Sequence, residues 1–99
     1  MTEVGGEEVR SEKPVTYIKA ISLRNYSDIE KIKEELKMGN VLIIKITPLA
    51  IKNIKEVKNA IDELKAYSQL INGDIARLGE ERIVMTPPSI KIWRGKLPS

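Results

Sequence analysis

The sequence predicts an α+β fold: a two-layer sandwich in which two helices pack on one face of a roughly five-stranded sheet. Three observations carry this. Short β-branched runs, clearest in VLIIKI at residues 41–46, alternate with two segments of helical apolar spacing. Beyond Ser68 only short strand-like runs separated by turn residues remain. The 99 residues suffice for one hydrophobic core and are too few for two domains.

The elements follow in chain order. Val15, Tyr17, Ile21 and Leu23 alternate imperfectly with Thr16, Ile18, Ala20 and Ser22, as in a first strand apolar on both faces. Ser27 followed three residues later by Glu30 predicts a capping box. Tyr26, Ile29, Ile32 and Leu36 then recur at helical spacing, so a helix runs to about Met38, where Gly39 stops it. Val41 to Ile46 reads as a central strand. Thr47-Pro48 suits an N-cap and first helical residue. The second helix opens at Leu49, lines up Ile54, Val57, Ile61 and Leu64 along one face, and ends near Tyr67.

Gln69–Ile71, Ile75–Leu78, Arg82–Thr86 and Ile90–Trp93 read as strands. They are divided by Asn72-Gly73-Asp74, Gly79-Glu80 and Pro87-Pro88. The Asn-Gly step is a hairpin turn or a bulge, and the overall order is β-α-β-α-β-β-β.

Residues 1–13 hold four Glu against Arg10 and Lys13 with no apolar periodicity, and are expected to form a disordered acidic tail. The folded domain then spans residues 14–95, with a short tail at 96–99. The whole chain carries +3, which leaves +5 on the remainder once the net −2 of the tail is set aside. That charge is spread along the sequence and names no nucleic-acid partner.

Without Cys there is no disulfide, thiolate site or cysteine nucleophile, and the cytoplasm is the expected compartment. No stretch approaches the length of a membrane span. Without His, general acid-base work falls to carboxylates. Glu34-Glu35, Asp62-Glu63 and Glu80-Glu81 are sequence neighbours whose side chains diverge, so they read as surface charge. Asn72-Gly73-Asp74 lacks the alternate ligands and closing Glu of a calcium loop, and the glycines form no phosphate-binding pattern. Neither metal nor cofactor is expected. Trp93, near Arg94 and Lys96, fits a core-edge or interface residue better than a platform for a nucleobase. A binding protein, not an enzyme, is the expectation.

A surface for binding can also be read. If Leu42, Ile44 and Ile46 face the helices, Val41 and Ile43 point to the opposite face, which is then apolar as well. Ile83 and Met85 share one side of their strand, and Ile90 and Ile92 one side of theirs. Either the core closes within the monomer, or a second copy or a peptide covers the remainder.

Two segments resemble the SepF family of cytoplasmic cell-division proteins, which link the tubulin-like FtsZ to the membrane. The first is Tyr26, the helix of Ile29, Ile32 and Leu36, then Gly39 and VLIIKI. The second is Asn72-Gly73-Asp74-Ile75-Ala76-Arg77-Leu78-Gly79, followed by Ile83-Val84-Met85-Thr86-Pro87. The likeness covers roughly residues 15–93 and implies the same α/β sandwich. It further implies a homodimer that grips the C-terminal peptide of an FtsZ-like protein and works at the division site.

By that resemblance Arg77 and Ile83 occupy peptide-binding positions, Arg77 as a charge for an acidic or terminal group and Ile83 as an apolar anchor. Val84 and Met85 would form walls, and Gly73, Asp74, Gly79 and Pro87 belong to the structural motif. The sequence departs from the family pattern twice. Residues 1–13, with only Met1, Val4 and Val9 as large apolar groups beside four Glu, are not expected to form the amphipathic membrane helix of family members, so direct membrane contact is not expected. Ala66 stands where many bacterial members carry a Gly that permits polymerisation, which favours a discrete dimer. A nucleic-acid-associated domain and a small-ligand regulatory domain are the rival readings of the same fold.

Overall fold

Runs of Ile and Val favour pleated backbone, and four of them form one mixed sheet: β1 (Ile18–Ser22), β2 (Val41–Lys45), β3 (Asp74–Leu78) and β4 (Arg82–Thr86). The computed structural model describes residues 15–95, so the tails predicted at 1–13 and 96–99 lie outside the described residues. Spatial order in the sheet is β1-β2-β4-β3. β1 and β2 run parallel, joined through α1 (Asp28–Lys37), and β4 is antiparallel to both of its neighbours. α2 (Thr47–Lys52) and α3 (Ile54–Leu70) connect β2 to β3.

The sheet register separates its two faces. Leu42 lies opposite Met85 and Ile44 opposite Ile83, and all four are buried under the helices. Ile29, Ile32 and Leu36 of α1 and Val57, Ala60 and Leu64 of α3 close on them, with Leu23, Ile46 and Leu49 from the connections. Each such Leu or Ile contributes about 1.5–3 kcal/mol by leaving water.

Among the described residues no helix covers the other face. Ala20, Ile43, Val84 and Ala76 form one cross-strand row there, with Ile18 at 70% exposure and Leu78 at 50% on either side. The apolar second face read from Val41 and Ile43 is therefore present. A clasp on the helical side ties α1 to α3: Tyr26 Oη and Lys33 Nζ donate to the two Glu63 oxygens at 2.5 and 2.9 Å.

The sequence reading needs correction in several places. Among the described residues the sheet has four strands, not about five. Gln69 and Leu70 are the end of α3 and Ile71 its C-cap, because Tyr67 and Ser68 are buried and backbone bonds continue through Ile71 N–H to the Tyr67 carbonyl at 3.0 Å. Ile90–Trp93 follows β4 without joining the sheet: the Ile92 N–H goes to Asp74 Oδ2, and the outer Ile75 carbonyl is taken by Arg94, so side chains replace a ladder.

The second helix is two helices. Asn53, extended at φ −162°, breaks the run and caps α3 by accepting from Lys55 N–H and Glu56 N–H at 3.1 Å. Its first piece begins at Thr47, with Ile46 in the cap position. Finally, Ser27 makes no capping box. Its backbone is already helical, and Asp28 Oδ2 instead accepts from Arg24 N–H and Asn25 N–H at 2.9 and 3.0 Å. Among the described residues no helix is long and apolar enough to cross a membrane.

Candidate functional site

Strand β3 is an edge strand, and the Asn72-Gly73-Asp74 sequence fixes where it starts. Asn72 takes a left-handed φ of 61° to end α3. At Gly73 any Cβ would fall inside van der Waals contact of the Thr86 carbonyl oxygen, so only glycine lets the chain turn this close to β4.

Asp74 then gathers the following chain. Its carboxylate accepts from Arg94 Nη1 and Nη2 at 2.9 and 3.0 Å, from Ile92 N–H at 2.9 Å and from Ile75 N–H at 3.0 Å. The Arg94 guanidinium, then the Ile92 N–H, hold this carboxyl well below the usual aspartate range. Thr86 Oγ1 donates to the Ile90 carbonyl at 2.6 Å, and Pro87 is fully buried. At the far end Gly79, at φ 73°, turns β3 into β4. The motif residues Gly73, Asp74, Gly79 and Pro87 thus hold β3, β4 and residues 87–95 together.

Between α3 and this strand runs a groove of about 240 Å³ lined by Ile61, Lys65, Ile75, Ala76, Arg77 and Ile83. A shallower space of about 490 Å³ continues it along α3, past Lys55, Lys58, Asn59 and Asp62. The floor is apolar and the rim basic. Arg77 is exposed, and its Nη2 donates to the Glu80 carbonyl at 3.1 Å, which fixes the guanidinium near the β3–β4 turn. The Ile75 carbonyl, bonded to Arg94, points away from β4. Backbone alternation directs the Arg77 N–H and C=O outward at the same free edge.

The four partner-binding residues read from the sequence are divided by the structure. Arg77 and Ile83 converge on the groove as neighbours in the β3–β4 register. Ile83 is only 1% exposed, a core residue whose edge forms the groove floor. Met85 is buried under the helices and does not line the groove, while Val84 projects to the open face. Ala66 is exposed on α3.

The sequence reading missed the α3 half of the groove, Ile61 and Lys65. Their signal was the i, i+3, i+7 row of Lys58, Ile61 and Lys65, in which an isoleucine lies between two lysines on one face. Two carboxylates read as surface charge are in fact paired. Glu63 is held low by the Tyr26 hydroxyl and then Lys33, Glu35 by Lys19 and then the buried Asn40. Arg94 is committed to Asp74, so it adds no basic surface beside Trp93.

Residues 18–92 match the family described as Cell division protein SepF. The SepF of Haloferax volcanii is 34% identical over 70 residues, 71% of this chain, and the chain spans 58% of that relative's length. Among solved structures, SepF-like proteins from Archaeoglobus fulgidus and Pyrococcus furiosus superpose with a TM-score of 0.75, at 28% and 30% identity. Both alignments cover 84% of this chain and 99–100% of theirs. SepF from Methanobrevibacter smithii, solved in complex with FtsZ-CTD, shares the fold at TM-score 0.71 and 17% identity, over 80% of this chain and 99% of its own. With three quarters of its length matched by the family and its sheet, helices and motif turn laid out as described, the chain belongs to the SepF family.

Proposed function

We propose that the protein is a non-catalytic cell-division adaptor in the cytoplasm that binds the C-terminal peptide of an FtsZ-like protein in the groove between α3 and β3. The convergence of Arg77 and Ile83 carries this reading. Both are peptide-binding positions by family resemblance, and they fall six residues apart on two strands of one groove. An extended peptide can lie along the outer edge of β3, where Arg77 presents its backbone N–H and C=O. It would drop an apolar side chain onto Ile61, Ile75 and Ile83 and meet Arg77 with a carboxylate. That the Methanobrevibacter protein of the same fold is described with FtsZ-CTD supports the choice of partner.

We further infer that the open sheet face is covered by a second copy of the chain. Its central row of Ala20, Ile43, Val84 and Ala76 is small and apolar, and the register makes the patch continuous across all four strands.

The test is titration of the labelled C-terminal peptide of an FtsZ from the same organism, with Arg77→Glu as the variant. Arg77 is exposed, so the substitution leaves the core intact. Micromolar binding that the variant loses supports the adaptor; a folded dimer that ignores the peptide removes it.

A further inference from the structure

The rim of the groove has a charge distribution that its apolar floor does not need. Lys55, Lys58, Lys65 and Arg77 surround the continuous space above Ile61, with Asp62 the one carboxylate among the lining residues. Lys19 pairs with Glu35 and Lys33 with Glu63 and Glu30, whereas Lys31, Lys37 and Lys45 enter no ion pair among the described residues, so what sets the rim apart is that four cations share one groove with a single carboxylate. Among the described residues, none of the four rim cations enters an ion pair.

The arrangement is directional. Ile61 marks the apolar contact. Lys58 and Lys55 lie three and six residues before it, one and two turns back toward the amino end of α3. Lys65 and Arg77 stand over the anchor pocket itself.

We propose that the groove is built for a peptide with an acidic segment beside its apolar anchor: the anchor enters above Ile61 and Ile83, and the acidic residues lie along α3 over Lys58 and Lys55. This rests on the peptide-groove reading and specifies the chemistry of its ligand. Rim charges of this kind act through attraction during encounter and through choice of partner. Binding therefore weakens as salt is raised, and an apolar peptide without flanking carboxylates is held more weakly.

The experiment titrates two labelled peptides against the full chain. One is the C-terminal peptide of an FtsZ from the same organism. The other is that peptide with every Asp and Glu changed to Asn and Gln and its terminal carboxylate amidated. Each is measured against wild type, Lys55→Glu/Lys58→Glu, Arg77→Glu, and the charge-matched control Lys31→Glu/Lys37→Glu on the exposed side of α1. The α3 substitutions are at exposed positions, and an acid near the amino end of a helix is tolerated, so circular dichroism should be unchanged.

The acidic peptide is expected to bind the α3 double variant about tenfold more weakly than wild type, with a flatter salt dependence. The neutralised peptide should bind wild type and double variant alike, and the α1 control should stay within about twofold of wild type. If the double variant keeps its affinity, or loses it equally for both peptides, while Arg77→Glu abolishes binding, the acidic-segment proposal fails and the groove reading stands. If neither peptide binds wild type, the groove reading fails and takes this proposal with it.

Discussion

Asp74 and Arg94 form a two-pronged ion pair across 20 residues of sequence, with Oδ2 and Oδ1 at 2.9 and 3.0 Å from the two guanidinium nitrogens. The same carboxylate accepts two backbone N–H groups, and the same guanidinium donates to the Ile75 carbonyl. One acid at the start of the edge strand thus holds residues 92–94 against the sheet without a strand ladder.

This pairing predicts an acid-sensitive stability. Asp74 titrates lower in the folded chain than in the unfolded one, as do Glu63 and Glu35. Their stabilisation is complete above the unfolded carboxylate range, at about pH 4–4.5. It is lost as pH falls from there through the lower folded values. Thermal melts should be nearly flat from pH 7 to 5 and then drop. Asp74→Asn should lower Tm at neutral pH and make the acid limb shallower; a variant that melts with wild type at pH 7 would show that the pair contributes nothing.

Two glycines of the motif should fail in different ways. Gly73 is excluded from bearing a side chain by the Thr86 carbonyl, whereas Gly79 has open space around its Cβ position and needs only its positive φ. Gly79→Asn should therefore cost little, because Asn accepts the left-handed conformation. Gly73→Ala should cost about 1–3 kcal/mol as overpacking against backbone, and Gly73→Asn no less. Urea unfolding of the three variants decides it, and equal costs for Gly79→Asn and Gly73→Asn would refute the contact argument.

The layers and the strand VLIIKI were legible because period-2 and helical spacing state which side chains share a face, and Leu42, Ile44, Ile83 and Met85 obey that rule. The break at Asn53 was not. An asparagine inside an apolar periodic run gives no sign that it will cap a new helix, and only the tertiary turn makes Ile54 exposed while Val57 stays buried. Gln69–Ile71 misled because three residues carry no period. At the site, Arg77 and Ile83 were found through family resemblance. Ile61 falls on one straight apolar stripe with Ile54, Val57 and Leu64 in the sequence, and nothing in that stripe shows that in the helix it both packs against the core and lines the groove beside β3. The Asp74–Arg94 link joins residues too far apart for any local pattern.

The open face predicts the assembly state. Ile43 and Val84 are register partners at its centre and only half-buried in the single chain. Light scattering at micromolar concentration should give twice the chain mass. Val84→Lys should give monomers with an unchanged far-ultraviolet spectrum, because the side chain points away from the helical core. Monomeric wild type, or a dimer indifferent to this substitution, would place self-association elsewhere or abolish it.

Ile83 and Arg77 face each other across β3 and β4 and line one groove, yet they should respond to mutation in opposite ways. Ile83 is packed against Ile44 and the helices, so Ile83→Ala should cost about 2–4 kcal/mol of stability through the cavity it leaves. Its weakened peptide binding would partly report unfolding. Arg77 is exposed and bonds only to the adjacent turn, so Arg77→Glu should leave the melting curve in place while peptide affinity falls. Parallel melts and titrations separate the two effects. If Ile83→Val, which removes one methylene group at a cost of about 0.5–1.5 kcal/mol, lowered affinity more than Arg77→Glu at a temperature where both are folded, the apolar floor would be the dominant contact. The arginine would then serve mainly to exclude mismatched partners.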